Sequence, residues 1–219
     1  PYEPENRTGL YVVTPEKPLQ GDATVAVGFS FDAAWPYGIS KNGGGSEEFI
    51  LPSGVVLTSF RPILAPVVGF VEEIGVEDEN RYESRVYPDD FWKGVNEPLF
   101  GSAWPFTTEI TVTVPQAYTA NSVGVLESEK VHDGKRTTVW RSDHPARFFN
   151  IVAGRWATRR GHDTALFYHP QHTYNLDEMA EALDGMRRWG SEWFYPYPWQ
   201  ELKVSEFPAF AYYAQGFPT

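Results

Sequence analysis

Glu109-Ile110-Thr111-Val112-Thr113-Val114-Pro115 alternates apolar and polar side chains at every step until proline stops it. Period two puts Ile110, Val112 and Val114 on one face and the threonines on the other, as in a half-buried antiparallel strand. Proline ends the run because it has no N–H to give the next ladder position. Further on, Val125–Val131 and Arg136–Arg141 flank His132-Asp133-Gly134-Lys135. Asp-Gly supplies the positive φ angles of a two-residue primed turn, so this stretch reads as a hairpin. Upstream, Thr24 to Asp32 repeats the alternation, with Val25, Val27, Phe29 and Phe31 on one side, and is expected to be a strand. Prolines at 62, 66, 88, 98, 105, 115 and 145 suit loops between short strands and exclude long helices. Up to residue 159 the chain reads as an antiparallel β-sandwich.

Beyond residue 160 the pattern changes. Thr164 to Tyr168 is a short apolar strand closed by His169-Pro170. Asn175 then reads as an N-cap, with Glu178 placed to complete a capping box. Leu176, Met179, Leu183, Met186, Trp189 or Gly190, and Trp193 fall at helical spacing and are expected to form one apolar stripe. Tyr195-Pro196-Tyr197-Pro198 stops the helix, and Glu201 to Phe207 is a second strand. The expectation is a mainly β chain: a sandwich over 1–159, then a strand–helix–strand unit over 160–219. That second unit is too small to hold a core alone and reads as the opening of an unfinished domain. Gly216-Phe217-Pro218-Thr219 does not wind down into a polar tail, so a piece of something longer is expected.

Composition narrows the chemistry. The 219 residues carry 18 Lys and Arg against 29 Asp and Glu, a net charge of −11, and 42% are hydrophobic. So acidic a chain is a poor tracker of phosphate backbones, and nucleic acid is not expected as a partner. The most basic stretch, Arg155 to Arg160, holds three arginines and reads as a strand end on a solvated face. The absence of cysteine removes disulfides, thiolate zinc sites, thiol catalysis and iron–sulfur clusters. No apolar run approaches the roughly 20 residues that span a bilayer.

The familiar catalytic motifs are missing. There is no phosphate-cradling glycine loop, no Gly-x-Ser-x-Gly elbow and no His-Glu-x-x-His. Asn42-Gly43-Gly44-Gly45-Ser46 reads as a flexible loop. Ser142-Asp143-His144 has the residue types of a triad, but triads are assembled from distant segments and neighbours in a strand point to opposite faces. His169 and His172 could suggest metal, yet no carboxylate follows at ligand spacing, so a solvated loop pair is preferred. Glu72, Glu73, Glu77, Asp78 and Glu79 lack calcium-loop order and read as a solvated loop. Trp35, Tyr37, Phe91, Trp92, Trp104, Phe106, Trp140, Phe148 and Phe149 would suit a carbohydrate platform, but core packing is the preferred reading.

A family resemblance emerges over the last third of the chain. Pro145-Ala146-Arg147-Phe148-Phe149-Asn150-Ile151-Val152-Ala153-Gly154-Arg155-Trp156 resembles the last strand of the N-terminal domain in aminopeptidase-N-like zinc metallopeptidases. Leu176 to Phe194, followed by Tyr195-Pro196-Tyr197-Pro198-Trp199, resembles that family's first catalytic-domain helix and its proline-rich ending. Glu201 to Phe210 is similar to the strand that follows. Weaker likeness lies at Asn96-Glu97-Pro98 and Phe106 to Pro115. The sequence departs from the family at Ala211-Tyr212-Tyr213-Ala214-Gln215-Gly216, where a Gly-x-Met-Glu-Asn loop would bind the substrate backbone and α-amine. The resemblance is closest to a divergent, often membrane-attached bacterial branch.

The resemblance implies a β-sandwich followed by the start of a thermolysin-like catalytic domain. It further implies zinc in the parent enzyme, with no metal ligand or acid–base residue in this chain. The partners it implies are the remainder of the catalytic domain and a peptide substrate. By position it points to Phe210, Tyr212, Tyr213, Gln215 and Gly216 as substrate-binding, and to an extracytoplasmic location. Two readings therefore stand: a non-catalytic front part of such a peptidase, walling its peptide cleft, or a free-standing aromatic-rich sandwich that binds glycan or protein.

Overall fold

The computed structural model describes residues 14–32, 49–59, 104–207 and 216. The chain divides into two compact units, Pro1–Ala33 with Val67–Asn96, and Ala34–Pro66 with Glu97–Thr219. In the first, residues 14–32 are described. The strand expected at Thr24 to Asp32 is absent: the segment has no ladder partner among the described residues, and Val25, Val27, Phe29 and Phe31 are exposed. The Phe29 and Phe31 rings lie on one side, 6.2 Å apart. Alternation alone gives a chain two faces; a strand needs a hydrogen-bonding neighbour as well.

The described part of the second unit is mainly β, with ten strands and one helix. Four strands make an antiparallel sheet: β1 (Phe49–Leu51), β2 (Gly54–Thr58), β4 (Thr119–Ser122) and β7 (Asn150–Gly154), in the order β1-β2-β7-β4. A second antiparallel sheet holds β3 (Glu109–Pro115), β6 (Lys135–Arg141) and β5 (Val125–His132), in that spatial order. Its centre is the expected hairpin. Asp133 and Gly134 both have positive φ, 48° and 71°, and His132 pairs with Lys135 across the turn.

The two sheets share one core. Val112 of β3, Tyr118, Ala120 of β4, Trp140 of β6 and Ala153 of β7 are buried together, with Ile110, Val114, Val55, Leu126 and Ile151 around them. This is the sandwich that the alternation of residues 109–114 predicts. The chain crosses between sheets at Val123-Gly124, where Gly124 has φ +81°. A Cβ there would lie 2.0 Å from Arg141 O, so only glycine fits this corner.

β8 (Ala157–Arg160), β9 (Thr164–Tyr168) and β10 (Leu202–Ser205) form a third sheet, in the order β10-β9-β8. β8 runs antiparallel to β9, whereas β10 runs parallel to it, joined through helix α1 (Leu176–Trp193). The expected strand–helix–strand unit is therefore a βαβ crossover. Thr164, Ala165, Leu166 and Phe167 are all buried, as expected for a strand covered on both faces. On the far face of the first sheet, Phe49, Val56 and Val152 pack with Trp156 and Phe207.

Two local expectations for α1 need correction. Asn175 adopts a left-handed conformation, φ 56°, and makes no side-chain cap, so the capping box is not formed. Asparagine tolerates that conformation, which turns its side chain off the helix N-terminus. The apolar residues also do not form one stripe. Ala180 is buried and Leu176 and Leu183 are half-buried, whereas Met179, Met186, Trp189 and Trp193 are exposed.

Candidate functional site

The sequence-based site residues Phe210, Tyr212, Tyr213 and Gln215 lie outside the described residues, as do Trp35, Tyr37, Phe91, Trp92 and the acidic cluster at 72–79. Gly216 is described and exposed.

Ser142-Asp143-His144 does not act as a relay. Ser142 Oγ accepts a hydrogen bond from Thr108 N at 2.8 Å, and Asp143 Oδ2 accepts one from Gln200 N at 2.6 Å. His144 Nδ1 lies 3.9 Å from Asp143 Oδ2, and its ring sits edge-on to Trp199, 5.4 Å between centroids. All three side chains tie segments together.

The histidine loop gains a partner that spacing could not reveal. β10 brings Glu206 to the end of β9, where one carboxylate oxygen accepts from His169 N at 2.8 Å and the other pairs with His172 Nδ1. The two imidazoles lie 4.8 Å apart. Among the described residues, however, no group of three or more His, Asp or Glu side chains is arranged to hold a metal ion. The described residues therefore do not fit a zinc centre, and no chemistry is assigned through one.

Three side chains fix the crossover unit in place. Lys203 of β10 is buried, and its Nζ donates to Ser122 O at 2.9 Å and to Gly124 O while lying over the Trp140 ring. Burial pushes this ammonium down to about 8, against the pull of Glu201 and Asp143 toward the charged form. Asp184 of α1 accepts from His162 N and Thr164 Oγ1 and so pins the helix to the β8–β9 turn. The Thr164 hydroxyl, followed by the His162 amide, holds its carboxyl below the ordinary value. Arg187 donates to Trp199 O, Gln200 O and Asp163 Oδ2, which orders the loop between α1 and β10.

With its inner side committed to β8 and β9, α1 turns an apolar face outward. Trp189 and Trp193 lie with their rings 9° from parallel and 6.1 Å apart. Met179 and Met186 continue the row, and Trp193, at 68% exposure, is among its most open members. Beside it a cleft of about 310 Å³ opens between Met186, Gly190, Tyr195, Tyr197 and Leu202. Isolated exposed apolar side chains are ordinary; a row of them beside a cleft makes this face a candidate surface for a partner.

No family model matches the chain, and no curated protein is similar to it in sequence. Solved structures do show similarity. An M1 zinc metallopeptidase from Deinococcus radiodurans is 23% identical, covers 46% of this chain and 26% of its own, and gives a TM-score of 0.35. A two-domain M1 zinc metallopeptidase bound to L-arginine is 22% identical over the same shares of both chains, with a TM-score of 0.36. The matched part of this chain thus spans about a quarter of those proteins.

Proposed function

We propose that this chain is the non-catalytic front part of an aminopeptidase-like zinc metallopeptidase. In this reading residues 1–159 form the N-terminal β-domain that walls the peptide cleft. Residues 160–219 open the catalytic domain; β8 (Ala157–Arg160), which pairs with β9, spans that division. The observation that carries it is the order of elements over the stretches that resemble the family. β7 covers Asn150–Gly154, α1 covers Leu176–Trp193 ahead of the proline-rich stop, and β10 returns parallel to β9. A lone βαβ unit cannot bury both its faces, which agrees with a domain continued by further chain.

Zinc, its ligands and the general base belong in this reading to a segment following Thr219, and the chain alone is inert. Its partners are the remainder of the catalytic domain and, in the whole enzyme, a peptide. Phe210, Tyr212, Tyr213, Gln215 and Gly216 approach that peptide. The parent is a bacterial, membrane-attached protein working outside the cytoplasm; among the described residues no helix is long and apolar enough to cross a membrane. The alternative of a free-standing sandwich that binds glycan or protein has less support: Trp104 is exposed, but Trp140 is buried, Phe106, Phe148 and Phe149 are half-buried, and among the described residues no strand carries an exposed aromatic ring.

The test is to express the whole reading frame and measure bound zinc and hydrolysis of aminoacyl anilides. One tightly bound zinc and chelator-sensitive hydrolysis support the reading, with the 219-residue chain inactive by itself. A reading frame that ends at Thr219, or one without His-Glu-x-x-His, overturns it.

A further inference from the structure

A two-layer sandwich turns its outer faces to water, and its strands carry polar side chains there. The first sheet departs from that rule. Its inner face meets Trp140 and the second sheet, yet its outer face carries Phe49 of β1, Val56 of β2 and Val152 of β7, all buried. Asn121 of β4, opposite Val152 in the ladder, is buried on the same face.

Residues from beyond β7 close this face. Period two sends Lys203, Ser205 and Phe207 to one side of β10 and its continuation, and each meets a different part of the sandwich. Lys203 Nζ donates to the Ser122 and Gly124 carbonyls, at the corner where the chain passes between sheets. Ser205 Oγ accepts from Asn121 Nδ2 at 3.0 Å. Phe207, with Trp156, packs on Phe49, Val56 and Val152. Just ahead of β10, Gln200 N donates to Asp143 and Trp199 meets His144, both in the passage from β6 to β7. All four strands of the first sheet are reached. The dependence runs both ways: without β10 the corner carbonyls lose a buried donor and an apolar sheet face loses its cover.

We propose that β10 makes the sandwich and the crossover unit one cooperative body, so that the passage from β7 into β8 is not a hinge. This goes beyond the functional reading and holds whatever the chain's activity is. If the peptidase reading is right, the wall of the cleft and the opening of the catalytic domain move together.

Native-state hydrogen exchange on the 219-residue chain in rising urea tests it. Amides of β6, in the sandwich, and of β9, in the crossover unit, are expected to lose protection with one common dependence on urea. Leu166→Ala, a cavity in buried β9, is expected to lower protection at least tenfold in β6 as well as in β9. If that variant does not fold, the natural chain decides alone. Opening of β9 at lower urea than β6, or protection in β6 that Leu166→Ala leaves unmoved, would overturn the proposal. So would a stably folded piece ending within residues 155–163 and released by limited proteolysis.

Discussion

The Lys203 ammonium lies 4.7 Å from the centroid of the Trp140 ring, where β10 meets the sandwich. Its proton is held less tightly in the folded chain, near 8 against an ordinary 10.5. Below about pH 8 both states carry the proton, and the folded one bears the burial penalty. Between about 8 and 10.5 the unfolded chain keeps a proton that the folded chain has released, so this group makes stability rise with pH. The gain is at most about 3 kcal/mol. Urea unfolding near pH 7.5 and near pH 10 should show it in the natural chain, and Lys203→Met should remove that part of the slope.

Two glycines with positive φ should respond differently to alanine. At Gly124 the added Cβ would meet Arg141 O at 2.0 Å and Ser142 Cα at 2.5 Å, both backbone atoms that cannot step aside. Gly124→Ala should cost about 3 kcal/mol or more. At Gly134 nothing lies within 4 Å, and only the backbone conformation is penalised, so Gly134→Ala should cost about 1 kcal/mol. Chemical denaturation of the two variants side by side reads the difference.

Trp140 and Trp193 should separate core from surface. Trp140 is 2% exposed and sits among both sheets of the sandwich, so Trp140→Ala should cost about 3–5 kcal/mol. Trp193→Ala should move stability by no more than about 0.5 kcal/mol. Acrylamide quenching supplies a second measure: loss of Trp193 should lower the accessible fraction of the emission, and loss of Trp140 the protected fraction.

Asp184 should make the docking of α1 acid-sensitive. Its folded pKa lies below the ordinary 3.8, so its contribution is present above about pH 4 and is lost as pH falls through the folded value. The carboxylate is close to solvent, which limits the effect to below about 1 kcal/mol. Asp184→Asn should therefore speed amide exchange at His162 near neutral pH and leave the natural and variant chains alike in strong acid.

The hairpin at Asp133-Gly134, the strand at Thr164–Tyr168 and the helix after Asn175 were legible because each rests on local rules: a turn needing positive φ, an apolar run, a helical period. What was not legible depends on partners far along the chain. Thr24 to Asp32 has the alternation of a strand but no ladder neighbour among the described residues. Helical spacing groups Leu183 with Met186, and only the position of β9 decides that one faces inward and the other outward. Nothing in the sequence sets Lys203 apart; its burial follows from β10 lying against Trp140. The histidine pair lacked a nearby carboxylate in sequence, and parallel pairing of β9 with β10 supplies Glu206. The loop at 210–216 rests on resemblance alone, and nothing about its spacing could place it.

The central position of β7 sets a timetable for folding. The β5–β6 hairpin joins near neighbours and can close within about 1–10 μs. β2, by contrast, can pair early with β1 alone; its other neighbour arrives only when Val55 meets Ala153, almost half the chain away, and β4 waits for the same strand. During synthesis, then, the β1–β2 pair and β4 stay unjoined until Asn150–Gly154 has emerged between them. Until that moment Val56 and Ala120 remain open to misplaced neighbours.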